Sequence, residues 1–436
     1  MSNIDHILSL QLREQVDMSG SNQHSTYSSI ADLLKKLHKP DLYESPATAA
    51  EIAACFALIF EEDRLSPVQT ATFLTLLTTS LRDKDPDVIA ACAAQMRIAA
   101  LPVDLPRLKA VIKPRHEGKY NGGLCDIVGT GGSIHKTYNI STTASLIASS
   151  FLLMSKHGNK AQTSVSGAAD ILASILPKPP NLTASTANNI PQIYEQSNYA
   201  FLFAPNFHPG MRLAAPVRRE MGIRTIFNLL GPLAHPIEEL VEARVVGVSD
   251  CALGPVFAEA LRISGANKAP SMRKAMVVAG REGLDEISCA GETDCWLLHE
   301  SAAHLNDKQA GIEHFRLSPL HFGFPTRPSL DSIRGGKDPK ENAEILMRLL
   351  EGNLRENELA ILQVVLMNAA AMLVVSGICE ADCSKMGGGD DGAVLTERGP
   401  GGGRWKEGVR RARWAVESGT ALKSLRAFTE ITNRLH

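Results

Sequence analysis

The stretch Asp126-Ile-Val-Gly-Thr-Gly-Gly132, with Asn139-Ile-Ser-Thr142 shortly after it, decides how the rest of the chain is read. A β-prone run at 125–128 feeds a turn carrying Gly129, Thr130, Gly131 and Gly132, and a helix opens near Asn139. Glycines let backbone amides approach an anion closely, and a helix N-terminus adds a favourable dipole beside the hydroxyls of Ser141 and Thr142. The same residues also describe a tight turn and an ordinary helix cap. The spacing matches neither the dinucleotide fingerprint nor the Walker loop, so neighbouring segments must choose between the two readings.

Further β-rich runs at 245–248 and 276–278 are separated from each other and from 125–128 by helical stretches, and that alternation predicts an α/β sheet. Upstream, 29–100 reads as helical throughout. Ile30, Leu33, Leu34 and Leu37 fall at three- and four-residue spacing, and Ser45 and Ser66 are expected to open further helices. Pro102, Pro106 and Pro114 mark the exit from this small helical domain. Residues 1–28 are expected to be an N-terminal extension without the apolar core of a secretory signal. Glycines at 387–389 and 399–403 predict a flexible surface excursion over 383–404.

With 436 residues and 44% apolar content the chain can bury a large core, and a formal charge of −2 excludes a general attraction to nucleic acid or anionic membranes. The eight cysteines have no histidine at metal-ligand spacing, which predicts reduced thiols in a cytoplasmic protein. The most apolar run, 360–375, contains Gln363 and Asn368 and is expected to be a buried helix rather than a membrane span.

Three later segments favour the anion-site reading. Lys156-His-Gly-Asn159 offers a point charge for phosphate and an amide for a polar aromatic substrate, and Ser164-Val-Ser-Gly-Ala-Ala-Asp170 follows it at once. His208-Pro-Gly-Met-Arg-Leu-Ala-Ala-Pro-Val-Arg218 and Arg224-Thr-Ile-Phe-Asn-Leu-Leu-Gly-Pro232 place arginines suited to a carboxylate in apolar surroundings. Gly283-Leu-Asp-Glu286 sets two carboxylates side by side, either a solvated turn or hard ligands for Mg²⁺ against a diphosphate.

In this order the segments resemble the anthranilate phosphoribosyltransferase family from about Ile30 to the C-terminus, apart from the glycine-rich excursion. The resemblance implies a small helical domain joined to a larger α/β domain with a central mixed sheet flanked by helices. It implies a helical domain of 29–100 with 192–225 packed on it, an α/β domain of 101–191 and 226–436, an active site in the cleft between them, and a homodimer through the helical part. It assigns 5-phosphoribosyl diphosphate to Gly129, Thr130, Gly131, Gly132, Asn139, Ser141, Thr142 and Lys156, and counts Thr137, Gly158 and Ser164 as substrate-binding. Mg²⁺ falls to Ser141, Asp285 and Glu286, and anthranilate to Asn159, His157, His208, Arg218 and Pro232, with Arg218 facing the carboxylate. The sequence departs from the family at Ser133-Ile-His-Lys136, where the glycine loop normally continues with an acid.

The reaction so implied is displacement at the anomeric carbon of the ribose in the route to tryptophan, which needs leaving-group stabilisation and alignment more than a covalent nucleophile. Lys156, His157 and Arg218 are the expected catalytic residues, with Lys156 on the diphosphate and His157 as a late proton acceptor. Two other functions remain open to the sequence: a pyrimidine nucleoside phosphorylase, which would need no divalent metal, and a non-catalytic relative binding nucleic acid, for which a basic stripe is missing.

Overall fold

The computed structural model describes residues 27–43, 45–112, 115–133, 135–161, 166–269, 272–299 and 311–435. Residues 1–26 of the expected N-terminal extension, and Ser164, lie outside them. The chain divides into two units, one of 1–100 with 208–234 and one of 101–207 with 235–436.

In the first unit the helices start where side chains satisfy the free amides of the first turn. Thr48 and Glu51 form a capping box ahead of Ala49–Ala57, Ser66 and Gln69 do the same for Pro67–Thr79, and Asp85 caps Pro86–Ile98. The expected start at Ser45 is replaced by Thr48, because Glu51 stands where the reciprocal bond needs it. The faces these helices bury, Ile52, Phe56, Phe73, Leu74, Leu77, Ile89 and Cys92, form one apolar core. The segment that joins them is 208–234, not 192–225. It brings the helix Met211–Met221 and Phe227, whose ring lies 4.9 Å from Phe56.

The second unit is built on a seven-stranded sheet: β1 (Leu124–Gly129), β2 (Leu153–Gly158), β3 (Tyr199–Phe203), β4 (Val241–Gly247), β5 (Lys274–Gly280), β6 (Thr293–Leu298) and β7 (Ile312–Leu317). The order is β3-β2-β1-β4-β5-β6-β7, with the first five parallel and the last two antiparallel. The apolar run Tyr199-Ala-Phe-Leu-Phe203 pairs with β2, which is why this stretch belongs to the sheet and not to the helical unit. Every residue of β4 and β5 is buried, as expected for parallel strands covered on both faces.

Helices cover the sheet, foremost Leu359–Ser376, which packs across β1, β4 and β5. It is long and apolar enough to cross a membrane, yet nearly all its residues are buried in the unit, the reading made for 360–375.

The glycine-rich stretch is not the free excursion expected from its composition. Ser384 and the Met386 amide bond the Asp390 carboxylate, the Leu395 amide donates to Glu407, and Arg398 grips Glu380 at 2.6 and 2.9 Å. Trp405, buried, donates its indole N–H to the Pro400 carbonyl. Beneath these contacts the wholly buried Arg411 lies between Glu407 and Glu117 at 2.8 and 2.6 Å.

Candidate active site at the carboxyl ends of the parallel strands

Strand order reverses between β1 and β4: the chain steps outward from β1 to β2 and β3, then returns to β4 on the other side of β1. Loops leaving the two strands part at such a reversal point, and open α/β sheets bind their ligands beyond the carboxyl ends of the strands there. Gly129 ends β1 and Gly247 ends β4, paired with each other in register.

Both glycines are bare for one reason, the loop carrying Asp285. A Cβ on Gly129 would stand 2.4 Å from an Asp285 carboxylate oxygen, and one on Gly247 1.6 Å from the Asp285 carbonyl oxygen. Asp285 is thereby laid over the strand ends, where its carboxylate accepts the Gly131 amide at 2.9 Å. The turn itself needs Gly131 and Gly132, whose φ values of 66° and 94° are left-handed. One of the loop amides expected to face a phosphate is thus bonded to the carboxylate loop, and the Thr130 amide is bonded to the Gly247 carbonyl at 2.9 Å.

Lys156 on β2 is only 3% exposed. Its ammonium donates to the Ile127 carbonyl at 2.6 Å and lies 3.4 Å from the Ser141 hydroxyl, the first turn of Ile140–Ala148. Burial pushes its pKa down, while Asp126, Glu286 and Asp285 pull it back towards the charged form. Burial pushes Glu286 well above the usual carboxylate range, with Asp285 adding to the rise and Lys156 opposing it. Two adjacent carboxylates and a hydroxyl near the same lysine are hard-oxygen groups of the kind that suits Mg²⁺. A cation there would offset the like-charge repulsion between Asp285 and Glu286 that adds to the burial effect on Glu286. The residues therefore fit the metal.

The remaining candidates fall into place unevenly. Asn139 precedes the helix Ile140–Ala148 and donates its side-chain amide to the Ser166 carbonyl, while Thr142 is buried within that helix. Gly158 makes room for the Phe201 ring, which a Cβ would meet at 2.8 Å. The Asn159 side chain accepts the Lys160 amide, and Asp170 accepts the amides of Ala161 and Gly167, closing the loop after β2. Thr137 pairs with Arg334, and both line a cavity of about 210 Å³ with His135, Lys136, Leu330 and Asp331. His208, Arg218 and Pro232 belong to the helical unit. There the Arg218 guanidinium sits 4.9 Å over the Phe227 ring, and burial holds the His208 imidazole down to about 4.

Three supporting residues were given no site role by the sequence. Asp126, 1% exposed, is pushed up to about 6 by burial, with Lys156 and Arg244 pulling against the rise. His235 accepts the Ile237 amide at Nδ1, so Nε2 carries the proton it shares with Ser155, and its ring packs edge-on against His157 at 5.9 Å. Burial holds that ring down to about 3. Asn368 exchanges two bonds with the Ile287 backbone and fastens the acidic loop to the central helix. An acid inside the apolar strand run 125–128 was the one available signal; the other two act only through the fold.

The fold and donor set define an enzyme that handles an activated sugar phosphate, and the comparisons agree. The profile described as "Glycosyl transferase family, a/b domain" matches residues 121–422. Anthranilate phosphoribosyltransferase of Schizosaccharomyces pombe is 36% identical over 372 residues, covering 85% of this chain and 89% of its own. The Saccharomyces cerevisiae enzyme "in complex with PRPP and Mg" superposes with a TM-score of 0.73 at 29% identity, covering 94% of this chain and 100% of that one. The Thermus thermophilus enzyme does so with a TM-score of 0.68 at 30% identity, covering 91% and 99%. This chain belongs to the anthranilate phosphoribosyltransferase family.

Proposed function

We infer that the chain transfers the phosphoribosyl group of 5-phosphoribosyl diphosphate to the amine of anthranilate. A C–N bond forms at the anomeric carbon as its C–O bond to diphosphate breaks, one amine proton is released, and diphosphate and N-(5-phosphoribosyl)anthranilate leave, in tryptophan biosynthesis. The observation that carries this reading is the buried Lys156 beside Ser141, under electrostatic pull from Asp285 and Glu286, at the reversal point of the sheet.

Lys156 and the glycine-loop backbone hold the departing diphosphate, with Gly131 and Gly132 keeping the turn open to it. Ser141, Asp285 and Glu286 would hold Mg²⁺, which would supply positive charge against the leaving group. Arg218 takes the anthranilate carboxylate and His208 and Asn159 its ring surroundings. His157, oriented by the neutral His235, receives the amine proton late in the step. Homodimerisation through the helical unit, whose Leu42 and Val68 are 73% and 75% exposed, and a cytoplasmic setting, in keeping with eight unpaired cysteines, complete the reading.

The test follows anthranilate fluorescence in the presence of 5-phosphoribosyl diphosphate and Mg²⁺. Metal-dependent loss of the signal is expected, and Arg218→Ala should lower kcat/KM for anthranilate about 10- to 100-fold, as loss of a charge-assisted pair does. Turnover of uridine and phosphate undiminished by a chelator would replace this reading with a nucleoside phosphorylase.

A further inference from the structure

The glycine-rich loop and the carboxylate loop touch at two points. One is the bond from the Gly131 amide to Asp285. The other is His135, whose Nε2 lies 2.7 Å from the Glu282 carbonyl oxygen. A carbonyl only accepts, so Nε2 carries the hydrogen and His135 donates. The Ser133 hydroxyl accepts the His135 amide at 3.2 Å, bending the loop so that the ring reaches across. On the far side Glu282 lies in a closed turn: the Gly283 amide donates to the Gly280 carbonyl at 2.9 Å and the Gly280 amide to the Leu284 carbonyl at 2.8 Å. A bond to Glu282 therefore fixes the turn from which Asp285 and Glu286 emerge.

We propose that His135 is a positioning residue for the metal site: it clamps the glycine loop to the carboxylate turn and so sets the separation of the diphosphate-binding backbone from the Mg²⁺ ligands. This deepens the phosphoribosyl-transfer reading and rests on it. The family resemblance puts an acid at the position of Ser133; in this chain a neutral hydroxyl stands there, two residues before the histidine donor.

Binding of inorganic diphosphate is measured calorimetrically, with saturating Mg²⁺ and with none, in the wild type, His135→Ala and His135→Gln. Glutamine places an amide donor near the reach of Nε2. Loss of the clamp is expected to weaken Mg²⁺-dependent diphosphate binding and raise the Mg²⁺ concentration for half-maximal rate by roughly five- to tenfold, the size of one lost hydrogen bond. Metal-free binding, the anthranilate KM and the melting temperature should stay close to wild type, and glutamine should restore most of the loss. Alanine with unchanged Mg²⁺ dependence, or a loss equal with and without metal, overturns the clamp. A wild type that binds Mg²⁺-diphosphate but consumes no anthranilate overturns the assigned reaction instead, and leaves the binding comparison to judge His135.

Discussion

Two glycine-rich segments in this chain look alike in composition and are built for opposite ends. In the loop 129–132 the glycines clear space for a neighbouring acid and leave backbone within reach of a ligand, and a Cβ on Gly131 would meet nothing within 4 Å. In the segment 387–403 a Cβ on Gly388, Gly389, Gly392 or Gly402 would likewise meet nothing within 4 Å, but other glycines admit aromatic side chains: a Cβ on Gly401 would stand 2.3 Å from Phe315, and one on Gly399 2.7 Å from Trp405. What separates a binding loop from a packed one is the partner each glycine admits. For Gly129 it is the carboxylate of Asp285, and for Gly401 it is an aromatic ring.

The largest effect should come from the packed segment. Glu407→Gln leaves the buried Arg411 with one carboxylate in place of two and frees the Leu395 amide, so urea unfolding should show a loss of about 3–5 kcal/mol. The anthranilate kcat/KM of the folded protein should stay within about twofold, a smaller effect than any loss of transition-state contact. A kinetic defect without loss of stability would end the distinction between the loops. Next, Gly129→Ala forces Asp285 off the strand end and should cost about 100-fold in kcat/KM with little change in unfolding, since misplacement near 1 Å costs that much. Gly401→Ala should reverse that pattern, costing about 1–3 kcal/mol of stability through overpacking on Phe315 at a left-handed φ.

The smallest effect tests the buried polar layer behind His157. The His235 ring titrates near 6.5 when unfolded and is held down to about 3 when folded. Its contribution is therefore present above pH 6.5 and is lost as the pH falls towards 3. Asp126, raised from 3.8 to about 6, runs the other way: its contribution is full below 3.8 and is lost as the pH rises through 6. Between pH 6 and 4 the two slopes oppose. Replacing His235 by asparagine should alter the slope of unfolding free energy in that window by about 1.4 kcal/mol per pH unit, leaving that of Asp126 exposed. An unchanged slope would mean that the ring takes up a proton inside the fold.

Residues that bear a local signature were legible in the sequence. Gly129, Gly131, Ser141, Lys156, Asp285 and Glu286 each sit in a short motif whose chemistry can be named in isolation, and the structure brings them to one set of strand ends. The alternation of β-rich and helical runs likewise announced the α/β fold. Residues that work through pairing were not legible. His235 reaches Ser155 only because the sheet and its covering loop bring distant positions together, and Asn368 reads as one polar residue in an apolar helix until Ile287 meets it. Of the expected 192–225, the part 208–225 does join the helical unit, while 192–207 does not, because Tyr199-Ala-Phe-Leu-Phe203 shows its nature only by lying along β2. Residues 383–404 were read as loose because glycine content is visible in composition, whereas the grip of Asp390 and Glu407 is not.

The helix Leu359–Ser376 also bears on how the chain is made. A segment so apolar is a liability while it is exposed, since unburied apolar surface drives aggregation and resembles a membrane span. Among the described residues all seven strands precede it in the chain, β7 ending at Leu317, so the sheet face it covers is synthesised before it, while the helix Trp405–Glu417 that packs on it follows. The order of the elements along the chain thus acts as a schedule, in which the sheet face is laid down before the most hazardous helix and the Trp405–Glu417 helix closes over it afterwards.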